Sequence, residues 1–127
     1  MTSPIGKTVL VVDDEPAIRM LCRLNLELDG FRVLDAGSLA DARRVLDTEP
    51  VAVLLVDVHV ADGDGRDLVR ELVERGGAPR IALLTGTDEL HEDERAGAEA
   101  LIEKPFTLVE LLSTVQRLAG DVDSKMK

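Results

Sequence analysis

The run Val51-Ala52-Val53-Leu54-Leu55-Val56 constrains the fold more than any other stretch of the chain. Pro50 breaks the chain before it and Asp57 ends it. A strand with one wet face alternates apolar and polar residues, whereas this run is apolar throughout and rich in β-branched valine. It therefore predicts a strand covered on both faces, which points to a parallel sheet with helices on each side.

The rest of the sequence supplies the partners such a sheet needs. Beginning at Thr8, Val9-Leu10-Val11-Val12 is a second short buried strand, stopped by the acids Asp13-Asp14-Glu15. From Pro16, the residues Ile18, Leu21, Cys22 and Leu28 fall near helical spacing, and Asp29-Gly30 closes that helix. Phe31 to Ala36 reads as another strand, and Ser38 followed by Asp41 as the capped start of a helix running to about Asp47. Ala61-Asp62-Gly63-Asp64-Gly65 is a turn by composition; Leu68, Leu72 and Val73 then mark a helix ended by Gly76-Gly77 and Pro79.

Ile81 to Leu84, ending on Thr85, is the fourth strand in chain order, and Ala100 to Ile102 the fifth. Between them, the acidic segment from Asp88 to Glu99 carries a weak helical pattern. Thr107 with Glu110 three residues on makes a capping box, followed by Leu108, Leu111, Leu112, Val115 and Leu118 on the apolar face of a last helix. Five strands alternating with five helices is the pattern of a doubly wound α/β domain. Residues 1–120 are expected to form this one domain, with 121–127 a polar tail or the start of a linker.

At 127 residues the chain can bury roughly two thirds of its unfolded surface in one core. Its net charge of −10 repels a phosphate backbone, so direct nucleic-acid binding is not expected. No apolar run approaches a membrane span and Met1 to Lys7 lacks a signal-peptide core, so a cytoplasmic location and no membrane partner are expected. Cys22 is the sole cysteine, which excludes an intrachain disulfide and a thiolate metal site; it reads as a small core hydrophobe.

Asp13 and Asp14, Asp57, Thr85 and Lys104 all fall at the carboxyl ends of strands, in the first, third, fourth and fifth by chain order. That edge of an open α/β sheet is where ligands bind, and with strand order 2-1-3-4-5 the switch point lies between strands one and three. Three carboxylates converging there repel one another by roughly 3 kcal/mol per pair at about 5 Å and an effective dielectric near 20. A cation should offset this, and an all-oxygen donor set suits Mg²⁺. A carboxylate nucleophile at Asp57, a hydroxyl donor at Thr85 and a counter-charge at Lys104 are the groups a phosphoryl acceptor needs.

In order along the chain, Val11-Val12-Asp13-Asp14-Glu15-Pro16, Leu54-Leu55-Val56-Asp57, Asp64-Gly65, Leu84-Thr85 and Lys104-Pro105-Phe106 resemble the motif series of bacterial response-regulator receiver domains, over nearly the whole chain. The resemblance implies a flavodoxin-like three-layer (βα)5 sandwich in which Asp57 takes a phosphoryl group from a sensor histidine kinase, a phosphotransfer protein or a small phosphodonor. It implies Mg²⁺ held by Asp14 and Asp57 directly, by Asp13 through water and by the His59 backbone carbonyl, with Thr85 following the phosphoryl group inward and Lys104 pairing with it. It also implies a cis Lys104-Pro105 bond. Such a domain catalyses only its own phosphorylation and dephosphorylation, reports through the face of helix four, strand five and helix five, and in some members dimerises on phosphorylation; the effector here is unspecified.

Three positions depart from the family pattern. Ala61 stands where many receivers carry Pro, Gly86 where Ala is usual, and Leu101 where an aromatic usually couples to the Thr. The His59 side chain is expected to face solvent beside the phosphate, tuning hydrolysis rather than ligating metal, and His91 to be solvated. A phosphorylation-independent interaction module is the main alternative, favoured by Leu101 and opposed by the intact acids, Thr85 and Lys104. A haloacid-dehalogenase-like phosphohydrolase would need an acid where His59 stands, and a flavin-binding module a Ser/Thr/Gly-rich loop where Asp13-Asp14-Glu15 stands.

Overall fold

The computed structural model describes residues 7–77, 79–86 and 95–120. In chain order the elements are β1 (Thr8–Val12), α1 (Pro16–Leu28), β2 (Arg32–Ala36), α2 (Leu39–Thr48), β3 (Val53–Asp57), β4 (His59–Val60), β5 (Gly63–Asp64), α3 (Gly65–Arg75), β6 (Arg80–Thr85), β7 (Ala100–Glu103) and α4 (Leu108–Leu118). Five of the strands form one sheet in the order β2-β1-β3-β6-β7, every pairing parallel. Counted over those five members, this is the expected order 2-1-3-4-5.

All five residues of β3 are buried, as its unbroken apolar run requires. Alternate side chains leave the sheet on opposite faces and build two cores. On one face Val9, Val11 and Leu55 pack with Cys22 and Leu26 of α1 and with Leu111, Val115 and Leu118 of α4. On the other, Leu10, Val12, Leu54 and Val56 pack with Leu39 and Ala42 of α2 and with Leu68, Val69 and Leu72 of α3. Each buried leucine or valine contributes about 1.5–3 kcal/mol relative to exposure, so the three layers lock the strand ends in register.

Local signals set the helix starts. The Ser38 hydroxyl accepts from the Asp41 N–H, and Thr107 and Glu110 form the full capping box. Asp64 caps α3, while α1 begins with Pro16 and has no side-chain cap from Glu15. Among the described residues no helix is long and apolar enough to cross a membrane.

Several expectations need correction. Residues 61–65 are more than a turn: His59–Val60 pairs antiparallel with Gly63–Asp64, making a small hairpin directly after β3. The helix expected from Asp88 to Glu99 does not extend over 95–99, which are turn and bend with positive φ at Ala96 and Gly97; residues 87–94, with His91, lie outside the described residues. Leu28 is 86% exposed, because it sits about 200° around α1 from the buried Leu26, on a second apolar stripe with Met20 and Leu24. Val73, Leu21 and Leu108 are likewise exposed at the flanks of their helices. The tail at 121–127 also lies outside the described residues.

Candidate functional site

The carboxyl ends of β1, β3, β6 and β7 deliver Asp13 and Asp14, Asp57, Thr85 and Lys104 to one edge of the sheet. Carboxylate oxygens of Asp13, Asp14 and Asp57 lie within 4.8 Å of one another, with Asp13 and Asp57 buried and Asp14 exposed. The Lys104 ammonium bridges the two buried acids, 2.8 Å from Asp13 Oδ2 and 2.7 Å from Asp57 Oδ2. It also stands 3.6 Å from Glu15 Oε1.

Each acid is held by its backbone surroundings. Asp13 Oδ1 accepts from the Glu15 N–H at 2.9 Å, and the Arg19 guanidinium donates to the Asp13 carbonyl at 2.6 Å. Asp57 Oδ1 accepts from the His59 N–H at 3.1 Å, which ties the acid to the hairpin behind it; His59 itself is exposed. That hairpin is fastened in turn to α2, since Asp62 accepts from the Leu39 and Ala40 N–H groups at 2.7 and 3.1 Å. Gly65 is forced by close approach: a Cβ there would lie 2.1 Å from the Asp57 carbonyl oxygen. The Thr85 hydroxyl, buried at the end of β6, donates to the Gly86 carbonyl at 3.2 Å.

The electrostatics follow from burial and crowding. Burial pushes the Asp57 carboxyl above the ordinary Asp value and Asp13 adds to this, although the hydrogen bonds from Lys104 and the His59 N–H act the other way. Burial works against the Lys104 charge, but the hydrogen bonds to Asp13 and Asp57 outweigh it and hold the ammonium well above its usual range. The site is thus a nest of carboxylates tempered by one firmly protonated lysine. Its oxygen-only donors can hold a divalent metal ion, and the crowding of three acids favours one. A depression of about 580 Å³ at the opposite edge of the sheet, lined by residues such as Leu46, Val51, Leu72 and Pro79, lacks this chemistry.

The sequence model of the response regulator receiver domain matches residues 9–116. The chain belongs to the response regulator receiver family. It is 35% identical over 105 residues to the KDP operon transcriptional regulatory protein KdpE of Escherichia coli, covering 81% of this chain and 47% of that protein. It is 32% identical over 129 residues to the phosphate regulon transcriptional regulatory protein PhoB of Pseudomonas aeruginosa, covering 95% of this chain and 56% of that one. The chain thus spans about half the length of these relatives. Among solved structures, the Francisella response regulator 1452 receiver domain superposes with a TM-score of 0.84 at 23% identity, covering 92% of this chain and 99% of that one. That likeness concerns the fold.

As a receiver, the chain is a signalling domain with the family's acidic pocket in place. The structure brings together Asp13, Asp14, Asp57 and Lys104, and puts Thr85 on the neighbouring strand end. The Lys104-Pro105 bond is cis, as the resemblance implied. Sequence reasoning missed the parts played by Glu15, Arg19 and Asp62. Two of these left a trace: a Glu at an N-cap position is a poor cap, and an Arg in the first turn of a helix opposes the helix dipole, so each has a reason outside its helix.

Proposed function

We propose that Asp57 is the phosphoacceptor of a two-component switch and that Mg²⁺ is its cofactor. The observation that carries this reading is the Lys104 ammonium spanning Asp57 and Asp13 beside three converged carboxylates. Asp14 and Asp57 would hold the metal directly, with the His59 carbonyl, and Asp13 through water. When bound, Mg²⁺ supplies positive charge against the acids and the incoming phosphoryl oxygens.

A carboxylate oxygen of Asp57 attacks phosphorus, and the bond from phosphorus to the donor breaks with its electron pair leaving on the donor. Lys104 then exchanges a carboxylate partner for a phosphoryl oxygen, and the Thr85 hydroxyl turns from the Gly86 carbonyl toward the new group. Hydrolysis by water at phosphorus returns Asp57 to its resting state, so the domain turns over only its own modification. A histidine kinase or phosphotransfer protein in the cytoplasm is the natural donor, and residues 1–120 are the unit that acts, with 121–127 a tail.

The signal leaves through the face bearing β7 and α4, and a phosphorylation-dependent dimer is one form it can take. Leu101 in β7 packs partly buried against the second core and has no hydroxyl partner to seek, so Thr85 and Gly86 carry the change instead. Intact-mass analysis after exposure to acetyl phosphate tests the reading: the wild type gains one phosphoryl group with Mg²⁺ and none in chelator, and Asp57→Asn gains none. Equal labelling of Asp57→Asn, or full labelling in chelator, overturns it.

A further inference from the structure

Glu15 occupies the N-cap position of α1, yet its side chain caps nothing: no side-chain hydrogen bond to the helix start is made. Its carboxylate instead reaches across the mouth of the crevice to within 3.6 Å of the Lys104 ammonium, with 65% of the side chain still exposed. The backbone at Glu15 is pinned by its N–H bond to Asp13 Oδ1 and by its carbonyl, which accepts from the Ile18 and Arg19 N–H groups. The fourth acid of the crevice is therefore placed by the same turn that places the first, and it lies exposed beside the Lys104 ammonium.

We infer that Glu15 is a specificity-determining residue that discriminates among phosphodonors by their charge, disfavouring free anions of higher charge. The inference rests on Asp57 being the phosphoacceptor. An anion that reaches Lys104 comes within range of the Glu15 charge beside it, and Lys104, the cation that should draw it in, is already shared among Asp13, Asp57 and Glu15. Coulomb's law in water makes one fixed charge at roughly 7 Å worth about threefold in rate per unit of donor charge.

Two small donors of different charge separate this effect from any other. Acetyl phosphate is a dianion near neutral pH; its reaction with the Asp57 carboxylate forms the aspartyl phosphate and releases acetate, which keeps the electron pair of the broken P–O bond. Phosphoramidate is a monoanion carrying an ammonium-type nitrogen; the P–N bond breaks and ammonia leaves with its electron pair and its protons. Rates are read by intact mass at saturating Mg²⁺ for wild type, Glu15→Gln and Glu15→Asp.

In low salt, Glu15→Gln speeds acetyl phosphate labelling by about sevenfold and phosphoramidate labelling by about threefold. At about 1 M salt, where the screening length is about 3 Å, both gains shrink toward none. Glu15→Asp keeps the charge and stays near wild type. A gain equal for both donors, or one indifferent to salt, overturns the inference, since loss of local structure would act that way; so does no gain at all. Failure of the wild type to label with either donor overturns the phosphoacceptor reading and this inference together.

Discussion

Replacing Asp57 with Asn removes one charge from a buried position while keeping the shape of the side chain. The charge removed stands with the Asp13 and Asp14 carboxylates, whose oxygens lie within 4.8 Å. At that separation a like-charged pair costs roughly 3 kcal/mol at an effective dielectric near 20. Against this stands the Lys104 contact at 2.7 Å, but Lys104 keeps its bond to Asp13 and an Asn oxygen still accepts from it. The upward displacement of the Asp57 carboxyl, caused first by burial, says that the balance runs against the ionised form. The metal-free Asp57→Asn domain is therefore more stable than wild type by about 1 kcal/mol, a fraction of the gross repulsion because an open crevice screens it. That is a rise of about 4 °C in melting temperature for a domain of this size.

The pH dependence has a definite sign. An acid whose folded pKa lies above its unfolded value binds its proton more tightly when folded, so wild-type stability falls as pH rises through the folded value. The advantage of Asp57→Asn is full above that pKa and fades as pH drops toward the unfolded carboxyl value of about 4. If Asp57 holds Mg²⁺ as proposed, added Mg²⁺ works against that advantage: wild type gains about 1.4 kcal/mol at ten times its dissociation constant, and the variant, lacking that carboxylate, gains less. Urea melts near pH 7 and near pH 4, with and without Mg²⁺, measure all of this. A metal-free variant less stable than wild type at neutral pH, or an equal gain from Mg²⁺ in both proteins, refutes the reasoning.

Gly65→Ala would press a Cβ to 2.1 Å from the Asp57 carbonyl oxygen, so it should cost about 3 kcal/mol or more in a urea melt and slow Asp57 labelling; Gly76→Ala has open space but φ +78 and ψ 159, a conformation that essentially only glycine adopts, so it should cost about 1–3 kcal/mol yet leave labelling intact. Cys22 is buried and its thiol is pushed up to about 11, by burial first and by Asp13 second, so a maleimide should leave it unmodified in the native domain and label it fully in denaturant. Asp62→Ala removes the carboxylate that accepts from the Leu39 and Ala40 N–H groups at the start of α2 and should lower the melting temperature at neutral pH. The Asp62 carboxyl is held low by the Leu39 N–H foremost, so its contribution is full above the unfolded value and lost as pH falls through the folded one; the two proteins' melting temperatures should converge as pH falls below the ordinary carboxyl range.

Much of the site was legible because strand ends are legible. The apolar run closing on Asp57, and the short one closing on Asp13, each announce both a buried strand and the residue it delivers, and parallel register then brings the two ends together. Lys104 follows a strand of only four residues, so its meaning came from its place in the ordered motif set. Glu15, Arg19 and Asp62 act through tertiary contacts that no periodicity encodes: Asp62 reaches a helix start 23 residues earlier in the chain. The apolar content of α1 misled because two stripes share it, Ile18, Cys22 and Leu26 inward and Met20, Leu24 and Leu28 outward. A hairpin of two-residue strands, β4 and β5, is too short for alternation to show, and only the turn at its tip was visible.

The claim on which the rest depends is that the Asp57 carboxylate forms the acyl phosphate. Borohydride reduces an aspartyl phosphate to homoserine, and peptide mass spectrometry then reads its position. After acetyl phosphate and Mg²⁺ treatment, homoserine should appear at position 57 alone and be absent from chelator-treated protein. Homoserine at Asp13 or Asp14 instead, or a phosphoryl group retained elsewhere with Asp57 unreduced, would contradict the account.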